Sequence, residues 1–229
     1  MNQVKTSRSK SQDLSEQIEN AEEHALKEVA SFLIHRLRNP LGGIKGFASL
    51  LERDLEGQPD HQRLAKMIVD GTNTLDQIMG AILEYAQPLE LKLKEEDFIA
   101  AVKEVFDKDQ ISWTASTKEL PLQMDGRQMR KALSYLSDVV VHSVKNGGSA
   151  IVNLEAIDGN IEIVIADKDN VIPEDRLPKV FSPFFTVPWG GEEGALAQAK
   201  KIIRAHKGAI EVDTSKESGT TITIKIPRG

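Results

Sequence analysis

The sequence contains no cysteine in its 229 residues. Without thiols the chain can form no disulfide bond, no cysteine-ligated zinc site and no cysteine nucleophile. Long apolar runs are also missing, since none approaches the roughly 20 residues of a membrane-spanning helix. The first residues, MNQVKTSRSKSQ, lack the apolar core of a signal peptide. We therefore expect a cytoplasmic protein with no membrane segment.

Positive charge is in short supply as well. Lysines and arginines number 29 against 35 aspartates and glutamates, and the resulting net charge of −6 argues against a general affinity for nucleic acid. The histidines are His24, His35, His61, His142 and His206. Because their spacing is not typical of metal ligands, we do not expect a metal cluster. A chain of 229 residues has room for one or two domains.

One histidine lies outside the apolar stripe of a predicted helix. Between residues 31 and 51, apolar side chains recur at the three- and four-residue steps of an amphipathic helix. They are Phe32, Leu33, Leu37, Leu41, Ile44, Phe47, Ala48 and Leu51. At about 100° per residue, His35 lies roughly opposite Leu33 and Leu37. The sequence therefore predicts that the His35 ring faces away from the packed side of the helix.

The helix face that carries His35 is polar and then nearly bare. Gly42 and Gly46 follow His35 on this face and leave room for another surface to approach the ring. Arg36 and Arg38 bring positive charge near any anion held on the imidazole, and a phosphoryl group fits this environment. A lone exposed histidine is more often an ordinary solvated residue, so this pattern alone leaves both interpretations open.

Residues 35–41 read His-Arg-Leu-Arg-Asn-Pro-Leu. They resemble the phosphoacceptor box of two-component sensor histidine kinases, whose usual form is His-Glu-x-Arg-Asn-Pro-Leu. The resemblance implies that His35 accepts a phosphoryl group and that Asn39 orients water during phosphatase action. Arg36 departs from the family, which has at this position an acid thought to act as general base. An arginine cannot take up a proton at neutral pH.

Two long helices are predicted for a domain over residues 12–87, after a flexible tail over residues 1–11. A turn over residues 55–60 separates the helices, and Asp60 is the expected N-cap of the second. A helical hairpin alone leaves both apolar stripes half exposed. Dimerisation into a four-helix bundle would cover them, and packing against the C-terminal half of the chain is the alternative.

The pattern changes after Pro88, and residues 88–229 are expected to form a second domain. Alternating segments predict strands at 89–94, 111–116, 120–125, 151–157, 161–167, 209–214 and 221–227. Helical patterns predict helices at 97–108, 125–145 and 195–208. Asp125 and Gln128 resemble a capping box at the start of the middle helix. The order of these elements predicts an α+β fold, with one mixed sheet covered by helices on one face.

Residues 90–229 resemble the ATP-binding domain of the same kinases, which belongs to the GHKL class. Phe-Ser-Pro-Phe-Phe-Thr at 181–186 is similar to the F box of that family. Ala-His-Lys-Gly-Ala-Ile at 205–210 is similar to the end of its last helix. The resemblance implies a GHKL-type α/β sandwich that follows the helical hairpin.

The residues that would contact a nucleotide depart from the family pattern. Asp138 stands where the family has the asparagine that holds magnesium, and its oxygens could still ligate Mg²⁺. Asp167 keeps the position that accepts a hydrogen bond from the adenine amino group, but Asp169 and Val171 replace the glycines that follow it. In the third box, at residues 191–196, two glutamates would repel a triphosphate. Alternatively, Asp138 lies on a solvated helix surface and Asp167 in a turn at a strand end.

These departures favour a histidine phosphotransferase. In this interpretation His35 accepts a phosphoryl group from the phospho-aspartate of one receiver domain and passes it to another, and the receiver supplies the Mg²⁺. The expected partners are response-regulator receiver domains and a second copy of the chain, and no tightly bound cofactor is expected. Two alternatives remain: a sensor histidine kinase core that phosphorylates His35 from ATP, and a scaffold that binds a regulator without chemistry.

Overall fold

The structure, a computed structural model, describes the backbone of residues 2–107, 111–145, 150–157 and 159–228. Side chains are described within these ranges from residue 25 onward, with the exception of residues 143–145. The chain forms two compact units that divide between Pro88 and Leu89. The N-terminal one is called the helical unit and the C-terminal one the sheet unit.

Two helices make up the helical unit: α1, Asn2–Asp54, and α2, Pro59–Ala86. Helix α1 starts at Asn2, where the sequence led us to expect a flexible tail over residues 1–11. The sequence has no glycine or proline before Pro40, so no strong helix breaker separates residues 2–11 from the rest of α1.

The turn between the helices differs from the prediction in its cap. Gly57 takes a positive φ of 92°, and Pro59 occupies the first helical position, where its missing N–H costs nothing. The N-cap is therefore Gln58, and Asp60 lies inside the first turn. The expected Asp60 cap is wrong because the proline starts the helix two residues earlier than predicted.

The two helices pack through a narrow seam. Helix α2 buries residues at seven-residue steps, namely Ala65, Thr72, Met79 and Ala86. Helix α1 contributes Ala30, Ile34 and Ala48. Most of the predicted apolar stripe of α1 lies outside this seam, since Leu33, Leu37 and Ile44 are about half exposed. One copy of the hairpin therefore leaves apolar surface uncovered on both helices.

The sheet unit contains seven strands and three α-helices in its described residues. The strands are β1 Lys94–Asp97, β2 Ile111–Ala115, β3 Pro121–Met124, β4 Ala150–Ile157, β5 Asn160–Asp167, β6 Ala209–Ser215 and β7 Gly219–Pro227. The helices are α3 Phe98–Phe106, α4 Gly126–Lys145 and α5 Ala195–Ala205, and a 3₁₀ turn spans Leu177–Lys179. Strands β1 and β3 form a small antiparallel pair.

The main sheet has the order β2-β4-β5-β7-β6. Strand β2 runs parallel to β4, and the other neighbours are antiparallel. The sheet is therefore mixed, and the predicted α+β fold is confirmed. The strands predicted at 151–157 and 161–167 are observed as β4 and β5, and Asp158 between them lies outside the described residues.

Isoleucines on the two central strands form the middle of the core. In β5 every second residue is buried, and its three buried isoleucines each pair with a buried isoleucine of β7. The pairs are Ile161 with Ile226, Ile163 with Ile224, and Ile165 with Ile222. This period of two is what one-sided burial of a strand requires. Side chains from α3, α4 and α5 belong to the same core.

One predicted strand was misplaced. The alternating segment at 89–94 led us to expect a strand there, but β1 starts only at Lys94. The backbone N–H of Lys92 donates to Asp125 Oδ2 at 2.9 Å. A side chain therefore satisfies this backbone group, and a neighbouring strand does not.

Asp125 joins three segments of the sheet unit. Its Oδ1 accepts a hydrogen bond from the N–H of Gln128 at 3.0 Å, which confirms the predicted N-cap of α4. Its own N–H donates to His206 Nε2 at 3.0 Å. His206 Nδ1 lies 2.8 Å from the carbonyl oxygen of Ile202. Since Nε2 accepts the N–H of Asp125, Nδ1 is the ring nitrogen that donates to Ile202.

The Asp125 carboxyl makes the sheet unit sensitive to acid. Burial raises its pKa, but the backbone N–H groups of Lys92, Gln128 and Arg127 lower it, and the net pKa lies below its ordinary value. A lowered folded-state pKa stabilises the fold above the unfolded-state pKa, and this contribution disappears as the pH falls through the folded-state pKa.

We predict that Asp125→Asn is less stable than the wild type near neutral pH, and that the difference shrinks as the pH falls from about 5 toward 2. Urea unfolding followed by tryptophan fluorescence measures it, because Trp113 and Trp189 are the only tryptophans and both lie in the sheet unit. Asp213→Asn, on the exposed side of β6, is the matched control. A difference that does not change with pH would contradict the prediction.

Candidate functional site

His35 is exposed on α1. The preceding residue, Ile34, is buried within the helical unit and only 4% exposed, so the backbone of α1 directs the two side chains to different sides. Asn39 is also exposed, one turn further along the same face. This arrangement leaves the imidazole accessible to a partner or a substrate.

The two arginines beside His35 contact other groups. The Arg36 guanidinium lies 5.3 Å from the centroid of the Phe32 ring, within the range of a cation–π interaction. Arg38 Nε donates to Asp76 Oδ1 on α2 at 2.8 Å. We had expected both charges to serve an anion on His35. In this structure Arg38 instead ties α1 to α2, which the sequence analysis did not predict.

A cavity of about 300 Å³ opens between the two helices beyond His35. Its lining residues are Arg38, Leu41, Gly42, Lys45, Thr72, Asp76 and Met79. On the His35 face, no described atom outside the local helix lies within 4 Å of a Cβ built at Gly42 or Gly46. The face next to His35 is therefore open to another molecule.

Asp167 is buried at the end of β5, and its carboxylate accepts hydrogen bonds from its own loop. Oδ1 accepts the N–H groups of Asp169 at 3.1 Å and Asn170 at 3.3 Å. The side-chain amide of Asn170 donates to Oδ2 at 3.1 Å and to Oδ1 at 3.3 Å. The oxygens predicted to meet adenine thus already have donors.

Two threonines hold this loop against the β6–β7 hairpin. Thr220 Oγ1 donates to the carbonyl oxygen of Asn170 at 2.8 Å, and Thr214 Oγ1 accepts the N–H of Ile172 at 3.1 Å. Gly219 has a φ of 72°, and a Cβ there would overlap the carbonyl oxygen of Asp167. The loop and the hairpin therefore touch backbone to backbone at this glycine.

Asp138 lies half exposed on α4 and meets the segment that precedes α5. Its Oδ2 accepts the N–H of Glu192 at 2.7 Å. Its Oδ1 lies 3.3 Å from His142 Nδ1, one helical turn away. Trp189 Nε1 donates to the carbonyl oxygen of Val139 at 3.1 Å. Sequence analysis gave no sign of the contacts that Glu192 and Trp189 make with α4, because they join residues about 50 positions apart.

Consecutive glycines bring the same segment close to α4. Gly190 and Gly191 have φ values of 102° and 119°, a region that favours glycine. A Cβ on Gly191 would lie 3.2 Å from Asp138 Oδ2, and one on Gly190 would lie 3.3 Å from the His142 ring. Larger residues here would push the segment away from α4.

The site residues do not match a nucleotide in this conformation. Asp167 and Asp138, the two predicted nucleotide carboxylates, both accept N–H groups of the chain itself. Within the described ranges, no group of three or more histidine, aspartate or glutamate side chains could hold a metal ion. Over the same ranges, no helix has the length and apolar character needed to cross a membrane.

Two family models match the chain. Residues 25–90 match the His Kinase A (phospho-acceptor) domain. Residues 124–229 match the histidine kinase-, DNA gyrase B- and HSP90-like ATPase. The chain therefore carries a phosphoacceptor domain followed by an ATPase-type domain, and it is homologous to sensor histidine kinases.

Curated relatives agree with this assignment. The sensor histidine kinase ZraS of Escherichia coli (strain K12) is 27% identical over 213 residues, which cover 89% of this chain and 46% of the relative. Sporulation kinase E of Bacillus subtilis (strain 168) is 24% identical over 214 residues, covering 89% of this chain and 29% of the relative. The chain thus spans less than half the length of these curated relatives.

Solved structures share the fold. Histidine kinase ThkA, in complex with the response regulator protein TrrA, has a TM-score of 0.64 and 23% identity, covering 89% of this chain and 62% of that chain. Full-length ShkA in complex with AMPPNP has a TM-score of 0.62 and 22% identity, covering 88% and 46%. The predicted order of a helical hairpin and a GHKL domain is confirmed.

The comparisons correct the favoured functional interpretation. The phosphotransferase character that we expected finds no support among these relatives, which are named as kinases. They support the alternative, a sensor histidine kinase core. Arg36, Asp169 and Val171 do depart from the family motifs. Such departures alone do not assign the chain to another class of protein.

Because of the close backbone contact at Gly219, adding a methyl group there should destabilise the fold more than adding one at Gly159. Gly159 and Gly219 have similar φ values of 77° and 72°, but only Gly159 faces open space. Gly159→Ala should destabilise the sheet unit by about 1 kcal/mol through backbone strain alone. Gly219→Ala should cost about 1–3 kcal/mol more, because its Cβ overlaps the Asp167 backbone. Urea unfolding measures both variants, and equal losses would contradict the contact.

Proposed function

We propose that this chain is the core of a histidine kinase in which His35 accepts a phosphoryl group from ATP and delivers it to an aspartate of a receiver domain. The exposure of His35 on a helix that matches the phospho-acceptor model carries the proposal. The match of residues 124–229 to an ATPase-type model supports ATP as the donor. Such a reaction belongs in the cytoplasm, where ATP and receiver domains occur.

The reaction needs few groups from the helix that carries His35. A neutral imidazole nitrogen attacks phosphorus, and the N–P bond forms while the bond from phosphorus to the leaving oxygen of ADP breaks. The ring proton passes to solvent, because Arg36 cannot accept it. In the second step the N–P bond breaks and an aspartate oxygen of the receiver takes the phosphoryl group. The proposal assigns to Asn39, which is exposed one turn beyond His35, the orientation of a water molecule for hydrolysis.

Receiver domains are the proposed partners. The open face beside Gly42 and Gly46 gives a receiver room to bring its aspartate to His35. The relative ThkA was solved in complex with a response regulator protein, which supports a partner of this class. In the sheet unit, Asp138 is the proposed Mg²⁺ ligand, because its carboxylate is a suitable ligand once the N–H of Glu192 has left it.

A second copy of the chain is the proposed cover for the exposed apolar side chains of the helical unit. They are Leu33, Leu37, Ile44 and Leu51 on α1 and Leu64, Met67, Ile68 and Leu75 on α2, each about half exposed. Two hairpins that join these surfaces form a four-helix bundle, which is the simplest way to bury both stripes.

A second candidate function is supported by the contacts of Asp167 and by Arg36. If ATP does not enter the sheet unit, His35 can take its phosphoryl group from a phosphorylated receiver and pass it to another receiver. This phosphotransfer needs no general base beside His35 and no nucleotide contact from Asp167. It makes the sheet unit a structural or docking domain.

We predict that His35→Gln abolishes phosphorylation of the chain, because no other group replaces the exposed imidazole. The purified chain is incubated with Mg·ATP labelled on the γ-phosphate, and separately with receiver domains charged by phosphoramidate. His61→Gln removes another exposed histidine, on α2, and should keep the label. Label from ATP supports the kinase, label from receivers alone supports the phosphotransferase, and label from neither contradicts both.

We predict that Leu37→Glu converts the dimer into a monomer. The substitution places a charge on the apolar face proposed to meet the second copy, and burying an unpaired carboxylate there is costly. Light scattering coupled to size-exclusion chromatography gives the mass of the assembly. Leu50→Glu is the control, since Leu50 is 47% exposed and Leu37 is 52% exposed, but Leu50 lies on another side of α1. Equal masses for both variants would contradict the proposed interface.

A further inference from the structure

The chain supplies its own donors to both carboxylates of the nucleotide site. At the end of β5, the side-chain amide of Asn170 lies 3.1 Å from Asp167 Oδ2 and 3.3 Å from Oδ1. The NH₂ group of the Asn170 carboxamide donates to a carboxylate. The family resemblance gives this role to the amino group of adenine. Asn170 therefore takes the position of the ligand's donor.

The second carboxylate, that of Asp138, lies on α4 and is contacted by residues 187–194. This stretch is called the lid segment. Glu192 donates its N–H to Asp138 Oδ2 at 2.7 Å. Three residues before it, Trp189 donates its indole N–H to the carbonyl oxygen of Val139 at 3.1 Å. The Trp189 ring also packs against the main hydrophobic core. The lid segment is thus held to α4 by two hydrogen bonds and by apolar contact.

The geometry points to a nucleotide site that is closed by its own chain, with Asn170 at the base end and the lid segment at the phosphate end. Both closures must be displaced before ATP binds. This inference rests on the proposed function, because it concerns the site through which ATP would reach His35. It assigns Asn170 and Trp189 as the residues that set the affinity of this chain for ATP.

Competition for the same acceptors gives the closure its effect. A carboxylate that accepts N–H groups of its own loop must lose them before it can accept those of a ligand. The apparent affinity then falls by the fraction of molecules in which the site is open. A hydrogen bond to a charged group is stronger than one between neutral groups. Removing one closing contact should therefore raise the affinity for ATP about tenfold.

The base end is tested by Asn170→Gly, which deletes the carboxamide. The matched control is Lys168→Gly, which makes the same loop equally free but removes an exposed side chain. Titration calorimetry with Mg·ATP measures the binding constant of each protein. Asn170→Gly should bind about ten times more tightly than Lys168→Gly, and adding Asp167→Asn should abolish the gain.

The lid end is tested by Trp189→Phe, which keeps an aromatic ring but removes the indole N–H. Its control is Trp113→Phe, because Trp113 is the only other tryptophan and lies on β2. The Trp113→Phe chain also leaves Trp189 as the sole tryptophan. Trp189 emission should be protected from acrylamide without ligand and should become quenchable in the Asn170→Gly background at saturating Mg·ATP. Near-UV circular dichroism checks that each variant is folded.

The inference is overturned if Asn170→Gly and Trp189→Phe bind Mg·ATP no more tightly than their controls. It is also overturned if Trp189 is equally quenchable with and without ATP. Labelling of His35 in the same proteins separates it from the proposed function. Tighter ATP binding without label on His35 supports the closure and contradicts the kinase. Label on His35 from ATP without any gain in affinity supports the kinase and contradicts the closure.

Discussion

A buried carboxylate needs hydrogen-bond donors, and this requirement organises the sheet unit of the chain. Asp167 ends a central strand inside the protein, where an ionised group without donors would be costly. The donors come from the two residues Asp169 and Asn170. Thr220 then fixes the loop by donating to the carbonyl oxygen of Asn170. The loop conformation and the burial of Asp167 therefore depend on each other.

Asp125 and Asp138 also accept backbone N–H groups, with different sequence signals. Asp125 receives the N–H of Gln128, three residues ahead, and a capping box of this kind is visible in the sequence. Asp138 receives the N–H of Glu192, 54 residues ahead. No local pattern marks a backbone donor at that separation. The first contact could therefore be predicted, and the second could only be observed.

Most of the fold followed from periodicity in the sequence. The alternating isoleucines of β5 and β7 predicted two half-buried strands, and the three- and four-residue steps around His35 predicted the α1 helix. The strand expected at 89–94 failed because alternation describes side chains only, whereas the N–H of Lys92 found its acceptor on Asp125. The exposure of the α1 stripe in a single hairpin was also foreseen, since Leu33 and Leu37 are about half exposed.

The candidate site was harder to predict than the fold. The motif around His35 showed which ring would be exposed, because its helix face is set by local geometry. The contact of Arg38 with Asp76 and that of Asn170 with Asp167 were not foreseen. Both depend on which rotamer and which loop conformation satisfy a charge, and a sequence motif specifies neither.

The connection between His206 and Asp125 limits how the neighbouring segment can move. His206 follows α5 directly, and its ring holds the start of α4 through the N–H of Asp125. At the other end, Gly194 donates its N–H to the carbonyl oxygen of Phe185. Both ends of the lid segment before α5 are therefore held in place. Any hinge motion of the lid segment is confined to the residues between Phe185 and Gly194, and α5 does not move with it.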